Sequence, residues 1–271
     1  MHHFYDSLLS QDLDYASQIM GIEMLLHQTT FMSSPYEAIS RCFLTWRNKR
    51  NYTSLQDLQI QTGIMDIIKK ANYDEKITKE EFIYYLEYVL LILGIPSKKA
   101  IESYVIMEYD SQPIADQVKF SINEIGCNII KKKGGYYIVD KNAKTEIAAR
   151  ITGKQYDLDA DMRLFYHPSV RNKLTVKADI LCRLYKYLEM HAADIKKYNL
   201  SNLYGDVSML INGLDIRHAP SKKEKEILTD MSKEEVSAWY DQVFGMCVSL
   251  VILVGYASKR RDIKELKNKL C

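Results

Sequence analysis

Glycine and proline are scarce in this chain, 11 and 5 among 271 residues. A β-sandwich or barrel needs turn residues roughly every 8–12 positions, so an all-β architecture is excluded at the outset. Cysteine is equally sparse: Cys42, Cys127, Cys182, Cys247 and Cys271 are odd in number and show no C-x-x-C spacing. Neither a disulfide framework nor a zinc site follows from that pattern, and a reducing compartment with Cys182 and Cys247 as small core residues does. An excess of one charge is also missing, with 37 Lys+Arg against 35 Asp+Glu and a formal net charge of +2. That balance excludes a histone-like polyanion binder and an acidic tail, and 47% apolar residues exclude a chain too polar to fold.

Several motifs are absent as well. There is no G-x-x-x-x-G-K-[ST], no G-x-G-x-x-G, no H-E-x-x-H and no G-x-S-x-G. Asp157, Asp159 and Asp161 begin like a calcium loop, but Met162 replaces the glycine of the sharp turn and Pro168 the closing glutamate. Asp140 and Glu146 follow a strand as nuclease carboxylates can, yet Ala148 stands where the lysine belongs. The expectation is a protein without metal or cofactor. Met1-His2-His3-Phe4-Tyr5-Asp6 lacks the basic and then apolar regions of a secretory signal. The longest nearly uncharged run, Phe244 to Ser258, falls short of the ~20 residues that span a bilayer. A cytoplasmic protein with no membrane contact is expected.

What is present is helical periodicity. Apolar residues recur at helical spacing over most of residues 1–108, which predicts helices near 5–30, 35–48, 54–71, 78–94 and 97–109. Thr53-x-x-Gln56, Thr78-x-x-Glu81 and Ser232-x-x-Glu235 match the capping box, in which two orphan backbone donors are satisfied reciprocally. Gly94 is the expected stop of the fourth helix, with Pro96 barring continuation. Pro113 opens a helix to about Gly126, and the clearest β signal in the chain follows. The run Cys127-Asn-Ile-Ile-Lys-Lys-Lys133, then Gly134-Gly135, then Tyr136-Tyr-Ile-Val-Asp140 predicts a hairpin, because two glycines can supply the positive φ angles of a two-residue turn. Residues 141–165 return to helix, and Tyr166-His167-Pro168 marks a boundary. Long helices are expected near 174–198, 201–215 and from Ser232 through the charged tail. The fold class is therefore mainly α: a helical N-terminal domain (1–110), a helix-plus-hairpin insert (111–168) and a C-terminal helical bundle (169–271).

Charge is not evenly shared, for residues 169–271 hold 18 Lys/Arg and 13 Asp/Glu whereas the first 168 hold 19 and 22. The basic half also carries a cluster suited to phosphate chemistry, since Asn212, Asp215, Arg217 and His218 fall within seven positions in SMLINGLDIRHAP. Histidine can take or give a proton near neutral pH, and arginine can hold a phosphate bidentately. In RNA the 2′-hydroxyl is itself a nucleophile, so such a pair could cleave without metal. The same cations would also cap a helix C-terminus favourably.

The layout of a long helix, a second helix ending in Asn212-x-x-x-x-Arg217-His218, a charged loop, and a final helix containing SAWYDQVFGMCVSLVILVGYA resembles the C-terminal domain of bacterial abortive-infection proteins in the HEPN superfamily. The likeness covers residues ~169–271, and the family's Arg, polar, spacer, His pattern is contracted here to adjacent Arg217 and His218. The resemblance implies an all-helical bundle, a metal-independent endoribonuclease in antiviral defence, and a homodimer through the C-terminal helices. In that reading His218 transfers the proton, Arg217 holds the scissile phosphate, and Asn212 and Asp215 orient them. The alternative is a non-catalytic module that binds nucleic acid or a protein partner through the same helices.

A second candidate contact is the hairpin. Lys131, Lys132 and Lys133 precede its Gly-Gly tip and Tyr136 follows, so a basic wing could lie on an RNA backbone with an aromatic ring for stacking. Charges of this kind also protect an exposed hairpin edge. Trp46 to Tyr52 places further cations at a helix end, which dipole complementarity alone would explain.

Overall fold

The computed structural model of the chain describes residues 13–29, 33–43, 51–97, 111–132, 135–153, 157–214, 216 and 230–270. Among them are fourteen helices and one two-stranded hairpin, the mainly-α class expected. The chain divides into two compact units, Met1–Ile138 and Val139–Cys271. The helix and first strand assigned to an insert thus belong with the N-terminal helices, and the helices after the hairpin belong with the C-terminal ones.

In the first unit, α1 (Tyr15–His27) begins where the Asp14 carboxylate accepts from the backbone N–H of Ala16 and Ser17. Next come α2 (Pro35–Phe43), α3 (Leu55–Gln61), α4 (Ile64–Asn72), α5 (Lys79–Ser97) and α6 (Gln112–Glu124), then β1 (Cys127–Lys132) and β2 (Gly135–Asp140). Three expectations need correction. The helix predicted over 54–71 is two helices, because the Thr62 hydroxyl bonds back to the Leu58 carbonyl at 2.6 Å and Gly63 adopts a left-handed φ of 76°. The cap of α3 is Ser54 rather than Thr53, its hydroxyl accepting from the Asp57 N–H at 3.0 Å while Asp57 accepts from the Thr53 N–H at 2.7 Å. Finally, α5 continues through Gly94 and Pro96 to Ser97. Pro96 lies in its last turn, where the missing N–H forfeits a single intrahelical bond. The Thr78 and Glu81 box forms as expected, at 3.2 and 2.9 Å. Residues 98–110, where a further helix is predicted, lie outside the described residues, as does most of Trp46 to Tyr52.

The core of this unit is built on α5, whose Phe82, Tyr85, Leu86, Val89 and Ile92 are fully buried. They meet Ile19, Ile22 and Leu26 of α1, Ile39 and Phe43 of α2, and Ile64 of α4, and the Tyr15 ring stacks on Phe82 at 4.8 Å. Ile114, Val118 and Ile122 carry α6 into the same core, where Gln18 of α1 accepts from Gln117 and Ser121.

In the second unit, α7 (Ala143–Thr152), α8 (Leu158–Leu164), α9 (Pro168–Arg171), α10 (Leu174–Met190), α11 (Ala192–Lys197) and α12 (Ser201–Gly213) precede the 26-residue α13 (Lys233–Ser258) and α14 (Arg260–Leu270). The Ser232 and Glu235 box closes at 3.1 and 2.7 Å. His167 caps α9 just before Pro168, as the boundary there predicts. Helix α13 is the axis of the unit: Tyr240, Val243, Phe244, Cys247, Val248, Val251 and Val254 are buried, and α7, α10, α11 and α12 pack on it. Burial pushes the Cys247 thiol up to about 12, so it is an inert core residue, whereas Cys182 is only half-buried. By length and composition α13 is able to cross a membrane, contrary to the reading of its apolar run as too short, with a mean hydropathy of 1.5 over its most apolar window. Half of that window is buried inside the unit, as the core helix of a folded bundle requires.

Candidate functional site

The hairpin is positioned from within the first unit. Cys127 and Ile138 are buried in its core, and the Ile138 N–H donates to the Glu87 carboxylate of α5 at 2.7 Å. This anchor leaves the tip end of both strands outward. Lys131 is exposed on β1, Tyr136 is 40% exposed on β2, and the Lys131 Nζ lies 5.6 Å from the Tyr136 ring centroid. Cation and ring therefore share one face of the hairpin, a cation–π pairing. Lys132 is half-buried, and Lys133 lies outside the described residues. Tyr137 is half-buried and lines a cavity of about 190 Å³ together with Tyr136, Tyr84, Tyr88 and Glu87.

The cluster expected in the C-terminal bundle is described only in part. Asn212 is exposed in the last turn of α12. The chain leaves that helix by a bond from the Leu214 N–H to the Leu210 carbonyl at 2.9 Å, and Tyr240 of α13 donates to the Leu214 carbonyl at 3.3 Å. Ile216 then turns back into the core, its N–H bonded to the Ile211 carbonyl at 3.2 Å. Asp215, Arg217 and His218 lie outside the described residues. Three of the five carboxylates weighed as calcium or nuclease ligands are engaged in ion pairs: Glu146 and Asp159 with Arg163, at 2.8 and 3.7 Å, and Asp161 with Arg183 at 2.6 Å.

Two polar constellations escape the sequence reading. The first is a cleft of about 780 Å³ in the N-terminal unit, where Glu23 and His27 of α1, Tyr36 of α2 and Gln59 of α3 converge among Met20, Met24 and Met65. Glu23 Oε1 accepts from the buried Tyr85 hydroxyl at 2.7 Å, and Glu23 Oε2 lies 3.5 Å from His27 Nε2. Burial holds the Glu23 carboxyl above its ordinary value, against the opposing pull of Tyr85 and His27. The Tyr36 hydroxyl donates to Gln59 at 3.1 Å, and its ring lies 4.5 Å from that of His27. A carboxylate inside the apolar run Ile22-Glu23-Met24-Leu25-Leu26 is the signal that marks it.

The second constellation is in the C-terminal unit. The Lys177 side chain is 1% exposed, with its Nζ 2.7 Å from Asp241, 3.1 Å from the Ser237 hydroxyl and 5.1 Å from the Phe165 ring centroid. Phe165 in turn stacks on Phe244 at 3.9 Å. A lysine spaced three after Leu174 and four before Leu181 occupies a core position, which is the local clue. This group closes on itself and holds α10 to α13.

No protein-family model matches the chain, and no curated protein or solved structure matches it.

Proposed function

We propose that this is a bacterial defence or toxin-type protein that acts on RNA in the cytoplasm, with the hairpin as its RNA contact. The observation that carries the reading is the Lys131 ammonium over the outward Tyr136 ring. Lysine neutralises a backbone phosphate and releases counterions, and a tyrosine face stacks on any base, so the pair suits single-stranded nucleic acid. The HEPN-like layout of the second unit adds the cleavage step. His218 removes the 2′-hydroxyl proton as that oxygen attacks phosphorus, and the 5′-oxygen leaves with a proton returned by the imidazolium, giving a 2′,3′-cyclic phosphate. Arg217 holds the phosphate, Asn212 and Asp215 orient the pair, and no metal or cofactor takes part.

The test is incubation of the purified chain with single-stranded RNA in EDTA, beside Arg217→Ala, His218→Ala and Lys131→Ala. Cleavage by the parent that both Arg217→Ala and His218→Ala abolish supports the whole reading. Binding that falls with salt, without cleavage, keeps the contact and removes the catalysis. Absence of both removes the proposal.

One observation favours the alternative of a protein-binding or assembly module. Ile263, Leu266 and Leu270 are 51, 56 and 76% exposed and recur at i, i+3 and i+7 along α14, an apolar stripe of the kind that pairs with a second helix. A homodimer through this stripe would appear as twice the monomer mass in sedimentation equilibrium, and Leu266→Lys would return it to monomer.

A further inference from the structure

We propose that the cleft over Glu23 is a binding site for a small organic cation, an amidinium, guanidinium or ammonium group on an apolar body. The site is independent of the RNA contact and is made entirely by α1 to α4.

The chemistry of the ligand follows from what the cleft offers. Its one carboxylate belongs to Glu23, whose side chain is 11% exposed. One oxygen accepts from Tyr85, while the other takes a single long, weak hydrogen bond from His27 Nε2 at 3.5 Å. A carboxylate can accept about four hydrogen bonds, so acceptor capacity is left at the cleft wall. A buried carboxylate is stabilised most by a paired charge, and a planar amidinium or guanidinium presents two parallel N–H donors to it. The His27 and Tyr36 rings, tilted by 30° at 4.5 Å, make an aromatic wall beside the carboxylate. Met24 and Met65 supply a flexible apolar wall that adapts to the body of a ligand. The volume of about 780 Å³ suits a small molecule rather than a single ion.

Gly21 is a separate observation that points the same way. It lies inside α1 and lines the cleft, without a positive φ, and a Cβ added there would meet nothing within 4 Å. Neither backbone strain nor close packing requires glycine, although glycine is the weakest non-proline residue in a helix interior. Its effect is to leave open space along the α1 wall of the cleft.

The experiment is calorimetric titration of the full chain with benzamidine, a planar aromatic amidinium, and with benzamide, its neutral counterpart. Saturable one-to-one binding of benzamidine is expected, at least tenfold tighter than benzamide. Glu23→Gln should weaken benzamidine at least tenfold and bring the two probes level. Gly21→Leu, whose side chain grows into open space, should abolish binding while the thermal unfolding transition stays cooperative. If Glu23→Gln fails to fold, Gly21→Leu alone decides. The proposal is overturned if the folded parent does not bind benzamidine, if the two probes bind equally, or if the folded variants bind as the parent does.

Discussion

Lys177 is held wholly inside the C-terminal unit with its ammonium 2.7 Å from Asp241, whose own side chain is 38% exposed. The two ends of this pair are therefore unequal in environment. Removing Asp241 leaves an ammonium buried among Phe165 and Phe244, whereas removing Lys177 leaves a carboxylate that water can reach. Breaking a buried pair by deleting one partner costs about 3–5 kcal/mol, while an apolar replacement of similar volume is often neutral. Asp241→Ala should accordingly destabilise by about 3 kcal/mol and Lys177→Met by much less. Urea unfolding of the two variants checks the order, and equal losses would mean that the pair is solvated in solution.

Gly255 of α13 faces Ile151 of α7 so closely that an added Cβ would lie 2.7 Å from Ile151 Cδ1 and 2.8 Å from its Cγ2. Helix propensity alone would make Gly255→Ala favourable by about 1 kcal/mol. The clash decides the sign, because the β-branched isoleucine has little freedom at χ1 to move Cγ2 aside. Overpacking of this kind costs about 1–3 kcal/mol, so a net loss of about 1 kcal/mol is expected. Ile151→Ala in the same chain should make the Gly255→Ala step favourable again, as a double-mutant cycle of melting curves would show.

The sequence makes the local features of this fold readable and hides the long-range ones, for a physical reason. Capping at Thr78 and Ser232, the boundary at His167-Pro168 and the pairing of β1 with β2 each depend on residues within a few positions of one another. Gly63 splits a helix that periodicity joins, because the apolar phase persists across a left-handed residue that a one-dimensional pattern does not register. The polar sites are less legible still. Tyr85 reaches Glu23 across 62 positions and Asp241 reaches Lys177 across 64, so only a charge at a core register hints at either pairing. Of the hairpin residues, Lys131 and Tyr136 could be nominated together because pairing of two strands close in sequence brings their side chains onto one face.

Glu23 gives the N-terminal unit a pH dependence of unusual sign. Burial raises its folded pKa above the ordinary 4.5, so between these two values the folded chain binds more protons than the unfolded one. Its contribution to stability is full below 4.5 and is lost as pH rises through the folded pKa. Glu81, held below its ordinary value chiefly by Lys70, acts oppositely: its contribution is present above 4.5 and is lost as pH falls through the folded pKa. Glu23→Gln isolates the first effect, since Glu81 is common to both proteins and cancels in the difference. Denaturant unfolding from pH 4 to 7.5 should show the variant gaining on the parent as pH rises. A difference that stays flat would place Glu23 at its ordinary pKa.

Lys131 and Tyr136 should contribute to RNA binding in separable ways, because one acts through charge and the other through a ring face. Lys131→Ala removes the proposed phosphate contact, so affinity for a single-stranded oligonucleotide should fall and the slope of log affinity against log salt should lessen by about 1. Tyr136→Ala removes the proposed stacking platform, with an expected loss of about 1–3 kcal/mol and an unchanged salt slope. Tyr136→Phe keeps the ring and should bind nearly as the parent does. Fluorescence anisotropy with a labelled oligonucleotide at several salt concentrations measures both quantities. Since both side chains are exposed, the variants should melt with the parent, and an affinity loss then belongs to the contact itself. If Lys131→Ala leaves affinity and slope unchanged, the cation protects the hairpin edge and the hairpin is not the RNA contact proposed for it.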